Sequence, residues 1–331
     1  MLIAIDAAGG EYAPHEIVKG AIKAAQEYQV DIALVGRGSV LHTLAGRDLN
    51  KVNLTIVEAS QTIGLHESPV KAVRSKPDSS IVVGTNLLKA GTASAFVSAG
   101  NSGAVVCAAL FNLGMMTGIE RPAIASIINV TASSYVLLID AGANVDCRPI
   151  HLVQFAQLGA TYARQVLGIS SPRVGLLSNG EEETKGNRLV QESHQLLKKA
   201  NLNFIGNVEG QDIPRRIADV IVTDGFTGNI VLKTLEGLGD TIQNLLRHVG
   251  HAVTSTYRVQ GRLLLHLVGL GSVAKNIDYR EYGGACLLGV NGNIIIAHGR
   301  SQARAIKNAI GLAKLTAERG ITPIIEEESH D

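Results

Sequence analysis

Short apolar runs, each ending on small or polar residues and followed by a stretch of helical spacing, recur along the chain at 2–6, 32–35, 54–57, 95–98, 136–140, 174–177, 204–206 and 220–223. Runs that are apolar on both faces suit strands covered by helices on either side, so the repetition predicts βα units around a mostly parallel sheet. Pro14 opens a helical pattern over 17–28 and Pro149 one over 151–167, while 187–199 closes on Lys198 and Lys199. Right-handed crossovers would then bring every strand-to-helix loop to one edge of the sheet, where ligand chemistry is expected.

The pattern changes after Gly225. From Val231 apolar residues fall at Leu235, Leu238, Ile242, Leu245, Val249 and Val253, in steps of three and four that describe a long amphipathic helix. A second helical stretch over 258–268 follows, and sheet-type segments resume at 286–290 and 294–297 before a closing helix over 303–319. The expected organisation is a single α/β domain over 1–331, interrupted by a helical hairpin at about 229–275 that pairing with a second copy of the chain would bury.

Composition narrows the function classes. With 46% apolar and 18% charged residues, no Trp and 36 Gly, packing and turning fall to Val, Ile, Leu, Ala and Gly. A net charge of +1 removes the general electrostatic case for nucleic acid as a partner. Cys107, Cys147 and Cys286 are too few and too scattered for a disulfide framework or a zinc knuckle. The first residues reach the charge of Asp6 before a secretory hydrophobic region could form, and no apolar run approaches the roughly 20 residues needed to span a bilayer, so a soluble, cytoplasmic protein is expected.

Five segments set Gly beside Asn, Asp, Ser or Lys just after a predicted strand. They are 6–10 (Asp6, Gly9, Gly10), 98–103 (Ser98, Gly100, Asn101, Ser102), 140–144 (Asn144), 179–187 (Asn179, Lys185) and 224–229 (Asp224, Gly228, Asn229). Glycine lets backbone approach a ligand closely, and a helix N-terminus turns unpaired N–H groups toward an anion, so the set fits a phosphate site. Any one of these loops taken alone reads more simply as an ordinary tight βα turn, and it is the set of five that points to a site. Gly36 and Gly38 lack the third glycine of a dinucleotide fingerprint, and G-K-[ST], H-E-x-x-H and G-x-S-x-G are all absent. No carboxylate cluster in the sequence compels a metal, so neither metal nor cofactor is expected.

Taken together these segments resemble the bacterial phosphate acyltransferase family of phospholipid synthesis. The resemblance rests on Asp6 with Gly9, Gly10 and Pro14, on 98–101, 142–147, 180–182, 185–187, 207–210, 224–229 and 282–285, and on His298 with Gly299. Ala8, Glu11, Ser102 and the Lys76–Pro77 pair depart from the family's usual residues. The resemblance implies a Rossmann-like fold akin to phosphotransacetylases and isocitrate-dehydrogenase-type enzymes, a homodimer, and transfer of a fatty acyl group from acyl carrier protein to inorganic phosphate. It also implies peripheral contact with a membrane and with the glycerol-phosphate acyltransferase that uses the product.

A thioester is already activated and phosphate already carries a nucleophilic oxygen, so the expected enzyme positions the two and stabilises an oxyanion without a covalent intermediate. Asn101, Lys185 and Asn229 are the candidate donors and Asp224 the orienter or base. Arg215, Arg216, Arg258 and Arg262 are candidates for steering an acidic carrier, and Leu264 with Leu267 for dipping into a membrane interface. Three rivals stay open at this point: a phosphotransacetylase using acyl-CoA, an oxidoreductase of the isocitrate-dehydrogenase type, and a non-catalytic scaffold for lipid enzymes.

Overall fold

The computed structural model describes residues 1–46, 48–49, 51–131, 134–256 and 283–320, with backbone alone at 130, 131, 134, 240 and 242–256. In chain order the strands are β1 (Leu2–Asp6), β2 (Asp31–Gly36), β3 (Leu54–Glu58), β4 (Ala95–Ser98), β5 (Ala123–Thr131), β6 (Ser134–Ile139), β7 (Val174–Leu177), β8 (Phe204–Val208), β9 (Val220–Val222), β10 (Ala285–Leu288) and β11 (Ile294–Ile296). The helices are α1 (His15–Tyr28), α2 (Gly38–Ala45), α3 (Pro69–Ser75), α4 (Ser80–Lys89), α5 (Ser102–Asn112), α6 (Pro149–Gln165), α7 (Arg188–Leu197), α8 (Gly225–Thr256) and α9 (Ala303–Arg319).

All the strands join one 11-stranded sheet in the order β3-β2-β1-β4-β11-β10-β5-β6-β9-β7-β8. Side chains alternate between its faces, as the period of two requires. Ile3 and Ile5 point into a core with Ile17, Ala21 and Ile306, whereas Ala4 faces the opposite side with Phe96 and Ile81. Helices α1, α2, α6, α7 and α9 cover the first face. On the second, α3, α4 and α5 cover the β1–β4 arm, while Val231, Leu232 and Leu235 of α8 pack over Val136, Leu138 and Ile221 of the β6–β9 arm. Ile124 of β5, Leu287 of β10 and Ile294 and Ile296 of β11 face this second side and are buried in the same cluster as Ala104, Val105 and Ala108 of α5.

Two expectations need correction. Strand β5 does not stand among the predicted runs, and it pairs antiparallel with both β10 and β6. Because β10 is also antiparallel to β11, the β6, β9, β7 and β8 strands run opposite to β1, β2, β3 and β4. The loops therefore do not leave one edge of a parallel sheet. Helix α8 starts at Gly225, before the expected hairpin boundary; the second hairpin helix, with Arg258, Arg262, Leu264 and Leu267, lies outside the described residues.

Candidate active site

Tracing register from strand to strand shows how the loops nevertheless meet. Ile5 pairs Val97, Val97 pairs Ile295, Ile295 pairs Cys286, Cys286 pairs Ala125, Ala125 pairs Ile139 and Ile139 pairs Val222. This single row crosses the sheet, and β1, β4, β6 and β9 all end at it or one residue beyond. The two arms are staggered so that their C-terminal ends are level although they point in opposite directions.

On one arm Asp6 is buried, with its Oδ2 accepting from Ser98 Oγ at 2.6 Å and its Oδ1 from the Ala8 N–H at 3.1 Å. Burial pushes its carboxyl above the ordinary value of 3.8, against the pull of those donors. A Cβ on Gly9 would fall 2.2 Å from Asp6 Oδ2, so glycine alone fits there. Ser98 Oγ also accepts from the Gly100 N–H. Asn101 caps α5 by accepting from Ala104 N–H at 3.1 Å, and its Nδ2 reaches the carbonyls of Gly64, Leu65 and Glu67.

On the other arm Asp140 is fully buried and accepts from five N–H groups, those of Ile124, Gly142, Ala143 and Asn144 and the Asn144 Nδ2. Burial pushes this carboxyl up as well, with the same donors opposing. The start of α8 docks on this loop through glycine. A Cβ on Gly228 would fall 1.9 Å from the Asp140 carbonyl oxygen, and one on Gly225 would fall 2.6 Å from the Asn144 carbonyl oxygen. Asp224 caps the helix by accepting from the Thr227 N–H at 2.9 Å and hydroxyl at 2.8 Å.

A cavity of about 330 Å³ lies between the start of α5 and α8. Its apolar part is formed by Ile124, Ile127, Leu232 and Ile296, and its polar rim by Ser102, Asn229, Lys233, Glu236 and His298. Lys233 Nζ stands 2.7 Å from Glu236 Oε2 and 2.8 Å from His298 Nε2, and His298 Nε2 is 3.4 Å from the same carboxylate oxygen. Burial would raise the Glu236 pKa, but hydrogen bonds from His298 and Lys233 hold it below the ordinary 4.5. An apolar floor with a few convergent polar groups is the usual make-up of a small-molecule site. A larger hollow of about 500 Å³ between α1 and α9 is lined by Lys23, Gln26, Glu27, Arg304 and Lys307 and has no strand-end loop in its wall.

The chain matches the family model described as "Fatty acid synthesis protein" over residues 1–323. It is 60% identical over 328 residues to a phosphate acyltransferase from Dehalococcoides mccartyi, covering 99% of this chain and 94% of that protein. It is 49% identical to a phosphate acyltransferase from Desulforamulus reducens, over 98% of this chain and 96% of that one. This chain belongs to the fatty acid synthesis protein family. The family's fold is shared with a phosphotransacetylase from Streptococcus pyogenes, which superposes with a TM-score of 0.63 at 17% identity over 96% of this chain and 94% of that one. A branched-chain phosphotransacylase from Enterococcus faecalis gives a TM-score of 0.60 at 14% identity over 96% and 99% of the two chains. The Rossmann-like, phosphotransacetylase-like architecture expected from the sequence is the one observed, and the curated relatives make this an acyltransferase family.

In this family member the structure sorts the sequence candidates. Ser102 and Asn229 line the cavity, and the Asn229 side chain lies over Gly142, where an added Cβ would stand 3.5 Å from it. Asp6, Gly9, Ser98 and Gly100 pack together beyond β1 and β4, with Gly10 against Ala99, and Asn144, Asp224 and Gly228 pack around the start of α8; none of them is among the cavity-lining residues. Asn101 has its side chain committed to the α5 cap and the 64–67 loop. Lys185 is exposed in the loop after β7 and is not among the cavity-lining residues; Asn179 closes that loop by accepting from the Gly186 N–H at 2.8 Å. Arg215 is exposed beside Asp212, whereas Arg216 is held against Asp219 and lies over the Tyr135 ring. No described helix is long and apolar enough to cross a membrane.

Lys233 and Glu236 were not singled out from the sequence, and His298 entered only through the resemblance. The available signal was the spacing Asn229, Lys233, Glu236, which sets polar residues on one face of a helix whose neighbouring positions are apolar. Glu181, from the loop after β7, also comes together with Glu209 and Asp212 of the turn after β8, with carboxylate oxygens within 4.8 Å of one another. Asp212 there accepts from the Glu209 N–H, as a turn-closing residue does.

Proposed function

We propose that this chain transfers a long-chain fatty acyl group from acyl carrier protein to inorganic phosphate, giving acyl phosphate for glycerolipid synthesis. The observation that carries the reading is the cavity itself, an apolar floor beside a cationic, hydrogen-bonding rim where the loops of both arms converge. The relatives' name supports the acceptor.

In the reaction an oxygen of hydrogenphosphate adds to the thioester carbon, the tetrahedral intermediate expels the carrier thiolate, and the proton of the phosphate hydroxyl ends on the thiol. No protein nucleophile is needed. Burial, with the nearby charges of Asp140 and Asp224, pushes the Cys147 thiol up to about 12, and burial alone does the same to Cys286, so neither offers a thiolate at neutral pH. Asn229 donates to the reacting oxygens and Asp224 holds the start of α8 in place. Asn101 fixes the α5 N-terminus, and Ser102 stands at the rim. The reading carries with it a homodimer and peripheral contact with a membrane and a glycerol-phosphate acyltransferase. Phe226, Ile230 and Leu238, exposed apolar side chains on α8, support a further surface resting there.

The test is a mixture of the purified protein, long-chain acyl carrier thioester and phosphate, with acyl phosphate trapped by hydroxylamine. Phosphate-dependent release of free thiol with trapped hydroxamate is the expected result; thiol release without phosphate dependence marks a thioesterase and overturns the reading. Competition with acyl-CoA separates the phosphotransacetylase alternative. Lys185→Ala tests the loop after β7: loss of turnover in a folded variant adds the loop to the site, and unchanged turnover removes it.

A further inference from the structure

Among the described residues lining the cavity, Lys233 is the only lysine or arginine. It does not hang free. Glu236, three residues on along α8, accepts from its ammonium at 2.7 Å, and His298 Nε2, from the loop after β11, stands 2.8 Å from it. The Arg300 backbone N–H donates to His298 Nδ1 at 3.1 Å, which assigns the hydrogen of a neutral ring to Nε2. Lys233 Nζ and His298 Nε2 are then two donors facing each other, with the Glu236 oxygen as the acceptor they share. Two abutting donors repel each other unless an acceptor lies within reach of both, and an anion entering the cavity supplies further acceptors. Asn229, one turn before Lys233 on the same helix, adds a side-chain amide to the same rim.

We propose that Lys233 and His298 grip the nucleophilic phosphate, with Glu236 as the positioning residue that holds both donors toward the apolar floor. The proposal rests on the functional reading above and adds the residues that select the anion. A lysine already held by Glu236 loses little further freedom when it binds, which favours a small ligand with few atoms of its own. The thioester carbonyl then lies toward Ile124 and Ile296, on the side where the acyl chain is shielded from water.

The experiment varies phosphate and acyl carrier thioester separately in wild type, Lys233→Met and Lys233→Arg. Lys233→Met is expected to raise the KM for phosphate by roughly tenfold to a hundredfold, the range for a hydrogen bond to a charged group, while the KM for the thioester stays within about twofold. Lys233→Arg, which keeps the charge but not the compact ammonium, is expected to recover part of that loss. A second readout needs no turnover: inorganic phosphate should raise the melting temperature of wild type and lose that effect in Lys233→Met and in His298→Ala. An unchanged phosphate KM together with undiminished protection in folded Lys233→Met overturns the assignment of Lys233. Wild type that releases thiol without needing phosphate overturns the functional reading instead, so the two failures are distinguishable.

Discussion

Asp6 at the end of β1 and Asp140 just after β6 are buried carboxylates beside the same row of the sheet, on arms running in opposite directions, yet they are held by different donors. Asp6 leans on a serine hydroxyl and backbone, whereas Asp140 is surrounded by N–H groups alone. A hydroxyl can turn to accept a hydrogen bond, but an amide N–H cannot. The Asp140 loop therefore requires an all-acceptor side chain, while the Asp6 loop can adjust to one with a donor. Glycine packing sharpens the difference. Gly9 protects the carboxylate of Asp6, whereas Gly225 and Gly228 bring the whole N-terminus of α8 against the backbone around Asp140.

The comparison breaks most severely at Gly228. Gly228→Ala sets a methyl 1.9 Å from the Asp140 carbonyl oxygen, and a loss of about 4 kcal/mol in urea unfolding is expected as α8 is forced off its seat. Asp140→Asn, which turns an NH2 toward N–H donors, is expected to cost about 3 kcal/mol. Asp6→Asn should cost only about 1 kcal/mol, because Ser98 can rotate to accept from the new amide. Equal losses for these two variants would show that burial, not donor chemistry, sets the demand at both sites.

The smallest effect is one of pH. Asp6 and Asp140, both pushed up, contribute stability that is fully present below pH 3.8 and lost as the pH rises through their raised values. Glu236, held down, has the opposite sign: its contribution is present above pH 4.5 and lost as the pH falls through its depressed value. The stability difference between wild type and Glu236→Gln should accordingly shrink as acid is added below pH 4.5. A constant difference would remove the ion pairing of Glu236 with Lys233 and His298 from the account of the cavity.

Much of the fold was legible because buried strands announce themselves. The runs at 2–6, 95–98 and 174–177 coincide with β1, β4 and β7, and the closing helix with α9. Strand β5 escaped because Ser126 and Asn129 interrupt its apolar run and no Gly or Asn-Gly turn marks the link to β6. Its β-branched residues Ile124, Ile127, Ile128, Val130 and Thr131, only two positions before the next strand, were the available hint. That omission hid the antiparallel pairs of β5 that reverse one arm of the mostly parallel sheet. The loop glycines were found because close backbone approach selects for the absence of Cβ, but Lys233 looked like any charged residue on a helix.

Local periodicity and local sterics were enough to read most elements other than β5, their alternation and the loops that carry polar and glycine residues. Only the tertiary structure decided which strands run against each other and which loops share a row, because register is set by pairing partners distant in the chain. The same holds for the cavity's cation. Lys233 and Glu236 are neighbours on α8, but His298 reaches them only because β11 pairs with β4 and delivers its loop opposite that helix.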